Sequence, residues 1–244
     1  MVTERLPDGP VSAGQLPDGV RVYAIGDVHG CDDRLAAMHT AIVDDLVQHP
    51  VAHPVLIHLG DYIDRGPDSA GVLERVARRL PRAPTLPVAN LIGNHEDMLL
   101  SALTGERREE ASHWLQNGGG ETLVRWGLSW RDPPSVWEAG IPPRQLGTLR
   151  GLSTLLRIGT YVFVHAGLRP GVELHAQARE DMLWIREPFL SYDGEMPFVV
   201  VHGHTPAHEP TVRPHRIGID TGAVMGGDLT CAVLEGADVA FIRT

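Results

Sequence analysis

VRVYAIGDVHG, residues 20–30, joins an apolar run to a turn made of glycine and polar residues. The apolar run predicts a buried strand over residues 20–25, and the turn that ends it carries Asp27 and His29. Residues 32–47 follow with apolar side chains at helical spacing, which predicts an amphipathic helix. The stretch therefore reads as a strand, a polar turn and a helix.

The same order occurs twice more along the chain. Further strands and helices are predicted at 55–59, 69–80, 86–92 and 95–103. Asp61 and Asn94 occupy the turns that end the two strands. Such alternation predicts an α/β domain with largely parallel pairing in this half. Because ligands bind beyond the carboxyl ends of strands in open α/β sheets, the polar turns mark a candidate site.

The rest of the chain is organised differently. Residues 105–150 are less regular, and we interpret them as short helices and loops that form a cap or substrate region. Beyond them short strands dominate, at 155–158, 161–164, 198–201, 217–219, 230–234 and 239–242. Tight connections between short strands favour antiparallel pairing there. Residues 1–18 are rich in Pro and Gly without an apolar period, which predicts a flexible arm before a single domain of residues 19–244.

Composition narrows the classes of function. The chain has 244 residues and a formal net charge of -10, which argues against a dedicated nucleic-acid binder. A phosphorylated partner is still compatible, because metals and a few arginines can supply a local positive field. No signal peptide or membrane-spanning apolar run is visible, and Cys31 and Cys231 make no disulfide framework. The cytoplasm is therefore the expected compartment, with no membrane partner.

Five short segments place metal-ligand side chains directly after apolar strands. Carboxylate, amide and imidazole ligands mixed in this way suit Mn, Fe or Zn better than Ca. Each segment alone is weak evidence, because a lone histidine near a strand end is usually structural. Their joint occurrence at strand ends favours a metal site, in segments 26–30 (GDVHG), 60–66 (GDYIDRG), 93–96 (GNHE), 164–167 (VHAG) and 202–206 (HGHTP).

These segments resemble the calcineurin-like metallophosphoesterases, most of all the PPP-type protein phosphatases, whose pattern is GDxHG, GDxxDRG, GNHE, HAG and GH. The resemblance runs from about Val20 to Leu234. Residues 113–120 (HWLQNGGG) and 219–224 (IDTGAV) further resemble the small bacterial and phage protein phosphatases. The diadenosine tetraphosphate hydrolases share the framework. The resemblance implies a four-layer α/β/β/α sandwich with two mixed sheets inside and the metals at one edge.

The resemblance also implies a ligand set for two divalent metal ions, with Mn expected and Fe or Zn open. Asp27 and His29 would bind the first metal and Asp61 would bridge both. The second metal would be bound by Asn94, His165 and His204. A hydroxide bridging two cations about 3.5–4 Å apart would then attack phosphorus directly. The last motif has Pro206 where the broader superfamily often has a second histidine, which matches the protein phosphatases.

Further residues receive roles from the same resemblance. His95 would be the general acid, with Asp64 holding its imidazole. Arg65 would bind the substrate phosphate together with Asn94, because a guanidinium matches two phosphate oxygens. Arg186 is the candidate second arginine, with an ion-paired surface residue as the alternative. His202 is interpreted as structural, and Asp220 either supports the ligands or is a turn residue.

The expected activity is hydrolysis of phosphoserine and phosphothreonine in proteins, extended to phosphotyrosine. Its partner is therefore a phosphorylated protein or peptide, or a phosphorylated small molecule. The alternative enzyme is a symmetrical bis(5'-nucleosyl)-tetraphosphate hydrolase, which needs the same metals. A catalytically inactive scaffold with this fold is the non-enzyme alternative. It is disfavoured because every ligand position is filled, and so are His95 and Asp64.

Overall fold

The computed structural model describes Thr3–Arg5 and residues 14–104 and 108–244. Its strands are β1 (Thr3–Arg5), β2 (Val20–Ile25), β3 (His53–His58), β4 (Val88–Asn90), β5 (Leu155–Ile158), β6 (Tyr161–Val164), β7 (Val199–His202), β8 (Thr211–Arg213), β9 (Arg216–Gly218), β10 (Thr230–Glu235) and β11 (Asp238–Arg243). Its α-helices are α1 (Asp32–Gln48), α2 (Ser69–Val76), α3 (Asn94–Leu103), α4 (Arg108–Trp114), α5 (Gly120–Arg125), α6 (Pro134–Gly140), α7 (Pro143–Arg150) and α8 (Arg179–Trp184).

The strands form two mixed sheets. The first has the order β1-β11-β10-β2-β3-β4, with parallel pairing from β2 to β4. The second has the order β5-β6-β7-β9-β8. The polar turns after β2, β3 and β4 therefore meet at one edge of the first sheet.

Alternation along the strands divides the core into layers. In β2, Val22 and Ala24 belong to a cluster shared between the two sheets, with Phe163 of β6 among its members. Tyr23 and Ile25 point the other way, into a cluster with helices of the first half. A third cluster, which includes Val162 and Val200, covers the outer face of the second sheet. Two sheets with flanking helices are the α/β/β/α sandwich that the resemblance implied.

The pairing in the second sheet differs from the sequence-based expectation. β5 and β8 pair antiparallel with their neighbours, but β6, β7 and β9 are mutually parallel. The expectation of antiparallel pairing is therefore wrong for the centre of this sheet. A long connection containing α8 joins β6 to β7, and a crossover of that length allows parallel strands.

The N-terminal region also departs from a flexible arm where it is described. Thr3–Arg5 pair antiparallel with β11. Leu16 is only 1% exposed and packs between the sheets, while its N–H donates to the Gly236 carbonyl. An apolar side chain among the Pro and Gly residues thus fastens this segment to the core. Residues 6–13 of the expected arm lie outside the described residues.

The segment expected to be a cap contains the helices α4 to α7 and the loops between them over residues 108–150, and residues 105–107 lie outside the described part of the chain. A one-turn π-helix (Leu115–Gly119), kinked at Gly118, joins α4 to α5. The helices of this segment pack against α2 and α3 of the first half. Among the helices of the described residues, none has both the length and the apolar character that crossing a bilayer requires.

Candidate metal centre

The candidate site is built on strained turns at the sheet edges. Among the described residues, five non-glycine residues have positive φ, and all carry predicted site roles: His29, Asp61, Asp64, Arg65 and His204. Such conformations cost free energy and persist only where the surroundings impose them. Their concentration in three of the predicted motifs marks this edge as the functional part of the molecule.

A first group of donor atoms combines His29, Asp61 and His95. Their ligand-type atoms lie within 4.8 Å of one another, and all three residues are buried. His29 Nε2 is 3.3 Å from Asp61 Oδ2. The rings of His29 and His95 meet edge to face with centroids 4.6 Å apart. Asp61 comes from the turn after β3, whereas His95 lies in the first turn of α3.

A second group combines Asp61, His165 and His204, again within 4.8 Å. His165 Nε2 lies 3.4 Å from Asp61 Oδ1 and 2.9 Å from Asn94 Oδ1. His204 Nδ1 lies 3.0 Å from the same amide oxygen of Asn94. Asp61 belongs to both groups, so its two carboxylate oxygens face different histidines.

Asp27 completes the set from the turn after β2, although it falls outside both donor groups. Its carboxylate accepts the backbone N–H of His204 at 3.0 Å. The two chains approach so closely that a Cβ on Gly203 would lie 2.0 Å from Asp27 Oδ1. Glycine at position 203 is thus required for this contact.

Hydrogen bonds on the far side of two imidazoles fix which nitrogen faces the cleft. His29 Nδ1 lies 2.8 Å from the Ile63 carbonyl, and His165 Nδ1 lies 3.0 Å from the Leu59 carbonyl. A carbonyl only accepts, so Nδ1 carries the proton and Nε2 presents a lone pair toward Asp61. Metal-binding histidines are oriented in this way. The donor set therefore fits a divalent cation.

The pKa shifts of Asp27 and Asp61 also fit a site for divalent cations. Burial, together with Asp220 and Asp61, raises the pKa of Asp27 well above its usual range. Burial would also raise the pKa of Asp61, but the imidazoles of His165 and His95 outweigh it and hold that pKa well below its usual range. Buried carboxylates crowded together are costly unless cations neutralise them, which is what two divalent metals would do.

In the second donor group burial favours the neutral form of the imidazoles. Burial lowers the pKa of His165, with the Asp61 charge opposing the shift. Burial, followed by the neighbouring His165, lowers the pKa of His204 to about 3. Neutral histidines offer a lone pair at neutral pH, which is the form that binds metals.

His95 and Asp64 form a buried pair beside the first donor group. His95 Nδ1 is 2.7 Å from Asp64 Oδ2, and both side chains are buried. His95 Nε2 has no hydrogen-bond partner among the described residues although it is buried. With Nδ1 held by a carboxylate, this free nitrogen is the atom that can exchange a proton with a ligand in the cleft.

The two predicted phosphate-binding arginines differ in position. Both side chains are exposed. Arg65 Nη1 lies 3.0 Å from His29 Nε2, so its guanidinium reaches the first donor group. Arg186 stands on the other side, where its charge contributes to lowering the pKa of His204. Asn94, predicted to contact phosphate as well, points its amide at the second donor group.

Several residues that position the site had no assigned role in the sequence analysis. Glu96 accepts N–H groups of Asp61, Tyr62, Ile63 and Gly93, and so clamps the Asp61 turn to the start of α3. The sequence signal that could have identified Glu96 is its place in the GNHE segment. Trp114 and Thr122 both donate to Asp64; Trp114 lies in the HWLQNGGG stretch, where no role was assigned to it, and Thr122 lies in no motif.

Asp220 and His202 are both buried, and their contacts indicate what each one does. Asp220 is buried near Asp27 and accepts the Gly222 N–H at 3.0 Å, so it is both a turn residue and a neighbour of a predicted ligand. His202 is buried against Phe189 and contacts the Gly203 carbonyl through Nδ1. It belongs to neither donor group.

Known proteins share this framework. The chain is 31% identical to serine/threonine-protein phosphatase 1 of Salmonella typhimurium, over 88% of this chain and 92% of that protein. It is 27% identical to an asymmetrical bis(5'-nucleosyl)-tetraphosphatase of Anoxybacillus flavithermus, over 84% and 87%. A cold-active protein-tyrosine phosphatase of a psychrophilic Shewanella matches the fold with a TM-score of 0.59 at 16% identity, covering 97% of this chain and 84% of that one. Residues 20–242 match the family model described as calcineurin-like phosphoesterase, and the chain belongs to that family of hydrolases.

Proposed function

We propose that this phosphoesterase hydrolyses phosphoserine and phosphothreonine in proteins, and phosphotyrosine as a further substrate. The observation that carries the proposal is His95 Nε2, a buried nitrogen in the first donor group that has no hydrogen-bond partner among the described residues and is backed by the Asp64 carboxylate. A phosphomonoester of serine or threonine has a strongly basic leaving group. Its departure needs a proton, and His95 is placed to give one.

In this proposal two divalent cations, with Mn first and Fe or Zn as alternatives, supply Lewis acidity when bound and make water a stronger nucleophile. Asp27 and His29 would hold one cation. Asp61 would contact both through its two oxygens, which face different histidines. The second cation would be held by Asn94, His165 and His204.

The remaining roles belong to charged groups at the cleft. Arg65 and Arg186, on opposite sides of the donor groups, would orient the phosphate through paired N–H donors. Asn94 would contact a phosphate oxygen as well as the second metal. Asp64 would hold the His95 ring so that Nε2 faces the leaving oxygen.

The charge at one wall of the cleft supports the proposal of a peptide substrate over a polyphosphate chain. A cavity of about 370 Å³ lies beside Trp184, whose ring contacts His204, and it is lined in part by Asp97, Glu110 and Glu180. Asp97 is ion-paired with Arg179, so Glu110 and Glu180 would supply the negative charge that repels a ligand with several phosphates in a row. A peptide with one phosphate avoids that repulsion.

A dinucleoside tetraphosphate hydrolase is the second candidate. It is favoured by similarity to a protein named as a bis(5'-nucleosyl)-tetraphosphatase over most of both chains. The same metals and the same His95 would serve that reaction, since the leaving group is again an oxygen.

Side-by-side turnover would decide between the two. With Mn added, kcat/KM is measured for a phosphothreonine peptide and for diadenosine tetraphosphate. We expect the peptide to be cleaved more efficiently. Faster cleavage of the dinucleotide by about 10-fold or more would overturn the protein-phosphatase proposal, and the nucleotides released would then show whether the cut is symmetrical. Failure to cleave either would overturn both candidates.

A further inference from the structure

The Asp64 carboxylate is held from behind by the helical segment of residues 108–150. Trp114 Nε1 of α4 donates to Asp64 Oδ2 at 2.8 Å. Thr122 Oγ1 of α5 donates to Asp64 Oδ1 at 2.7 Å. Trp114 and Thr122 are both 0% exposed, as is Asp64 itself. Each carboxylate oxygen therefore receives a buried donor from a segment remote in sequence.

These contacts leave Asp64 one orientation. Oδ2 is shared between the indole N–H and His95 Nδ1, and Oδ1 is taken by Thr122. The Asp64 N–H lies 2.9 Å from Thr122 Oγ1 and 3.0 Å from Ser69 Oγ. An indole N–H only donates, so it satisfies the carboxylate without competing for the proton on His95. Rotation of Asp64 would break several buried hydrogen bonds at once.

The HWLQNGGG stretch explains how the indole reaches this place. A Cβ on Gly119 would lie 2.5 Å from Cδ2 and Cε2 of Trp114, so the ring rests on bare backbone. Gly118 has φ +102°, and a Cβ there would lie 3.0 Å from Arg65 N. By contrast, a Cβ on Gly120 would meet nothing within 4 Å. Trp137 packs edge to face on Trp114 from the far side, with centroids 5.7 Å apart.

We infer that Trp114 and Thr122 are positioning residues for proton donation: they fix Asp64, which in turn aims His95 Nε2 at the leaving oxygen. The helical segment of residues 108–150 would thus position the general acid, in addition to any contact that it makes with substrate. The inference rests on the proposed role of His95 as the general acid. Neither residue is expected to touch the substrate or the metals.

A positioning role for Trp114 and Thr122 predicts that the rate effect of a variant depends on the leaving group, whereas a merely structural role does not. Proton donation matters when the leaving oxygen is strongly basic, as in phosphothreonine, and matters little for 4-nitrophenyl phosphate. If His95 Nε2 no longer faces the leaving oxygen, turnover of phosphothreonine should therefore fall more than turnover of 4-nitrophenyl phosphate. Loss of general folding or of metal would lower both equally.

The main test is Trp114→Phe with Trp137→Phe as a matched control. The control removes an indole N–H from the same aromatic pair, but that N–H donates to the Ser129 carbonyl. We expect Trp114→Phe to lower kcat for a phosphothreonine peptide about 10-fold more than kcat for 4-nitrophenyl phosphate. KM and bound metal should be unchanged. Trp137→Phe should lower both rates equally or not at all.

A second route does not depend on replacing a buried tryptophan. Thr122→Val should show the same leaving-group dependence, and Thr122→Ser, which keeps the hydroxyl, should restore the wild-type ratio. Gly119→Ala should displace the indole and behave like Trp114→Phe, whereas Gly120→Ala should not. Melting curves and metal content are recorded for every variant.

The outcomes separate the inference from the proposed function. His95→Asn serves as the reference, because it removes the acid itself. If His95→Asn shows the leaving-group dependence but Trp114→Phe and Thr122→Val lower both rates equally, or neither, the inference is wrong and the acid assignment stands. If His95→Asn shows no such dependence, the acid assignment fails and the inference falls with it.

Discussion

Two buried histidines in this protein, His95 and His58, belong to hydrogen-bond chains that end on different kinds of atom. His95 is bound to a carboxylate, and its second nitrogen has no hydrogen-bond partner among the described residues. His58 is bound through Nδ1 to the Asn90 amide oxygen at 2.8 Å and through Nε2 to His39 at 2.9 Å. The Asn90 amide then donates to the Val76 carbonyl, which ends the chain of hydrogen bonds.

The comparison shows that burial of a histidine does not by itself indicate catalysis. His58 and His95 are both at most 1% exposed. They differ in whether the hydrogen-bond chain ends on an atom facing a cleft or on backbone. A chain that ends on backbone contributes stability, whereas one that ends on a free atom is available for chemistry. Variants at the two pairs should therefore affect different properties.

The largest effect is expected from the residue that both donor groups share. Asp61→Asn should release both metals together and lower kcat/KM by about 10³-fold or more, because one carboxylate serves both sites. Metal content after dialysis and turnover in added Mn provide the measurement. His58→Gln is the control and should keep both metals. Loss of only one metal from Asp61→Asn would show that Asp61 does not bridge.

The next effect concerns His95 and Asp64, the proposed catalytic pair. His95→Asn should lower kcat for a phosphothreonine peptide by about 10²–10⁴-fold while metal content is kept, because general acid catalysis contributes rate increases of that size. His58→Gln, at the other pair, should leave kcat unchanged. Equal rates for His95→Asn and the wild type would refute the acid role and remove the functional half of the comparison.

The other pair should respond in stability. His58→Leu leaves the Asn90 amide oxygen and the His39 N–H without partners, and we expect the free energy of unfolding to fall by about 2–4 kcal/mol. Urea unfolding measures this loss directly. His53→Leu, at an exposed position at the start of β3, is a control for substitution of a histidine in the same strand. A similar loss in both variants would mean that the buried hydrogen bonds of His58 add nothing to the free energy of unfolding.

A smaller effect should appear in the pH dependence of stability. Burial lowers the pKa of His58 to about 4, with the hydrogen bond to Asn90 opposing the shift. An unfolded histidine titrates near about pH 6.5, so between these values the unfolded chain binds a proton that the folded chain does not. The free energy of unfolding should therefore fall as pH drops through this window, by up to about 3 kcal/mol from His58.

The measurement is a series of urea unfolding curves between pH 7 and pH 4, compared with those of His58→Gln. The variant lacks the titrating group, so its free energy of unfolding should decline less steeply with falling pH. The difference in slope should approach about 1.4 kcal/mol per pH unit. Parallel pH profiles for the two proteins would contradict a depressed pKa at His58.

Much of the fold and of the donor set could be predicted because each motif is local. A strand that ends in Gly-Asp or Gly-Asn is visible in a few residues, and parallel strands bring such ends to one edge. The sequence therefore predicts that Asp27, Asp61 and Asn94 lie near one another. Their roles as metal ligands stay a prediction, with which the donor geometry is compatible.

What the sequence could not supply are contacts between distant residues. Trp114 meets Asp64 across 50 positions, and no spacing pattern encodes that meeting. The parallel centre of the second sheet was missed for the same reason, because pairing depends on where long connections return. Strand β8 was not expected either, since prolines at 210 and 214 flank it and favour a loop.

The order of strands in the first sheet has a consequence for how the protein is made. β10 lies between β11 and β2, yet it follows every predicted metal ligand in the chain. During synthesis β2 keeps an open apolar edge until residues 230–235 arrive, and such edges pair readily with other chains. His204, a predicted ligand, also follows the three early turns in the chain, so the proposed metal site cannot be complete before residue 204 has been synthesised. Ribosome-bound chains that stop before residue 230 are thus the species most exposed to aggregation and in most need of a chaperone.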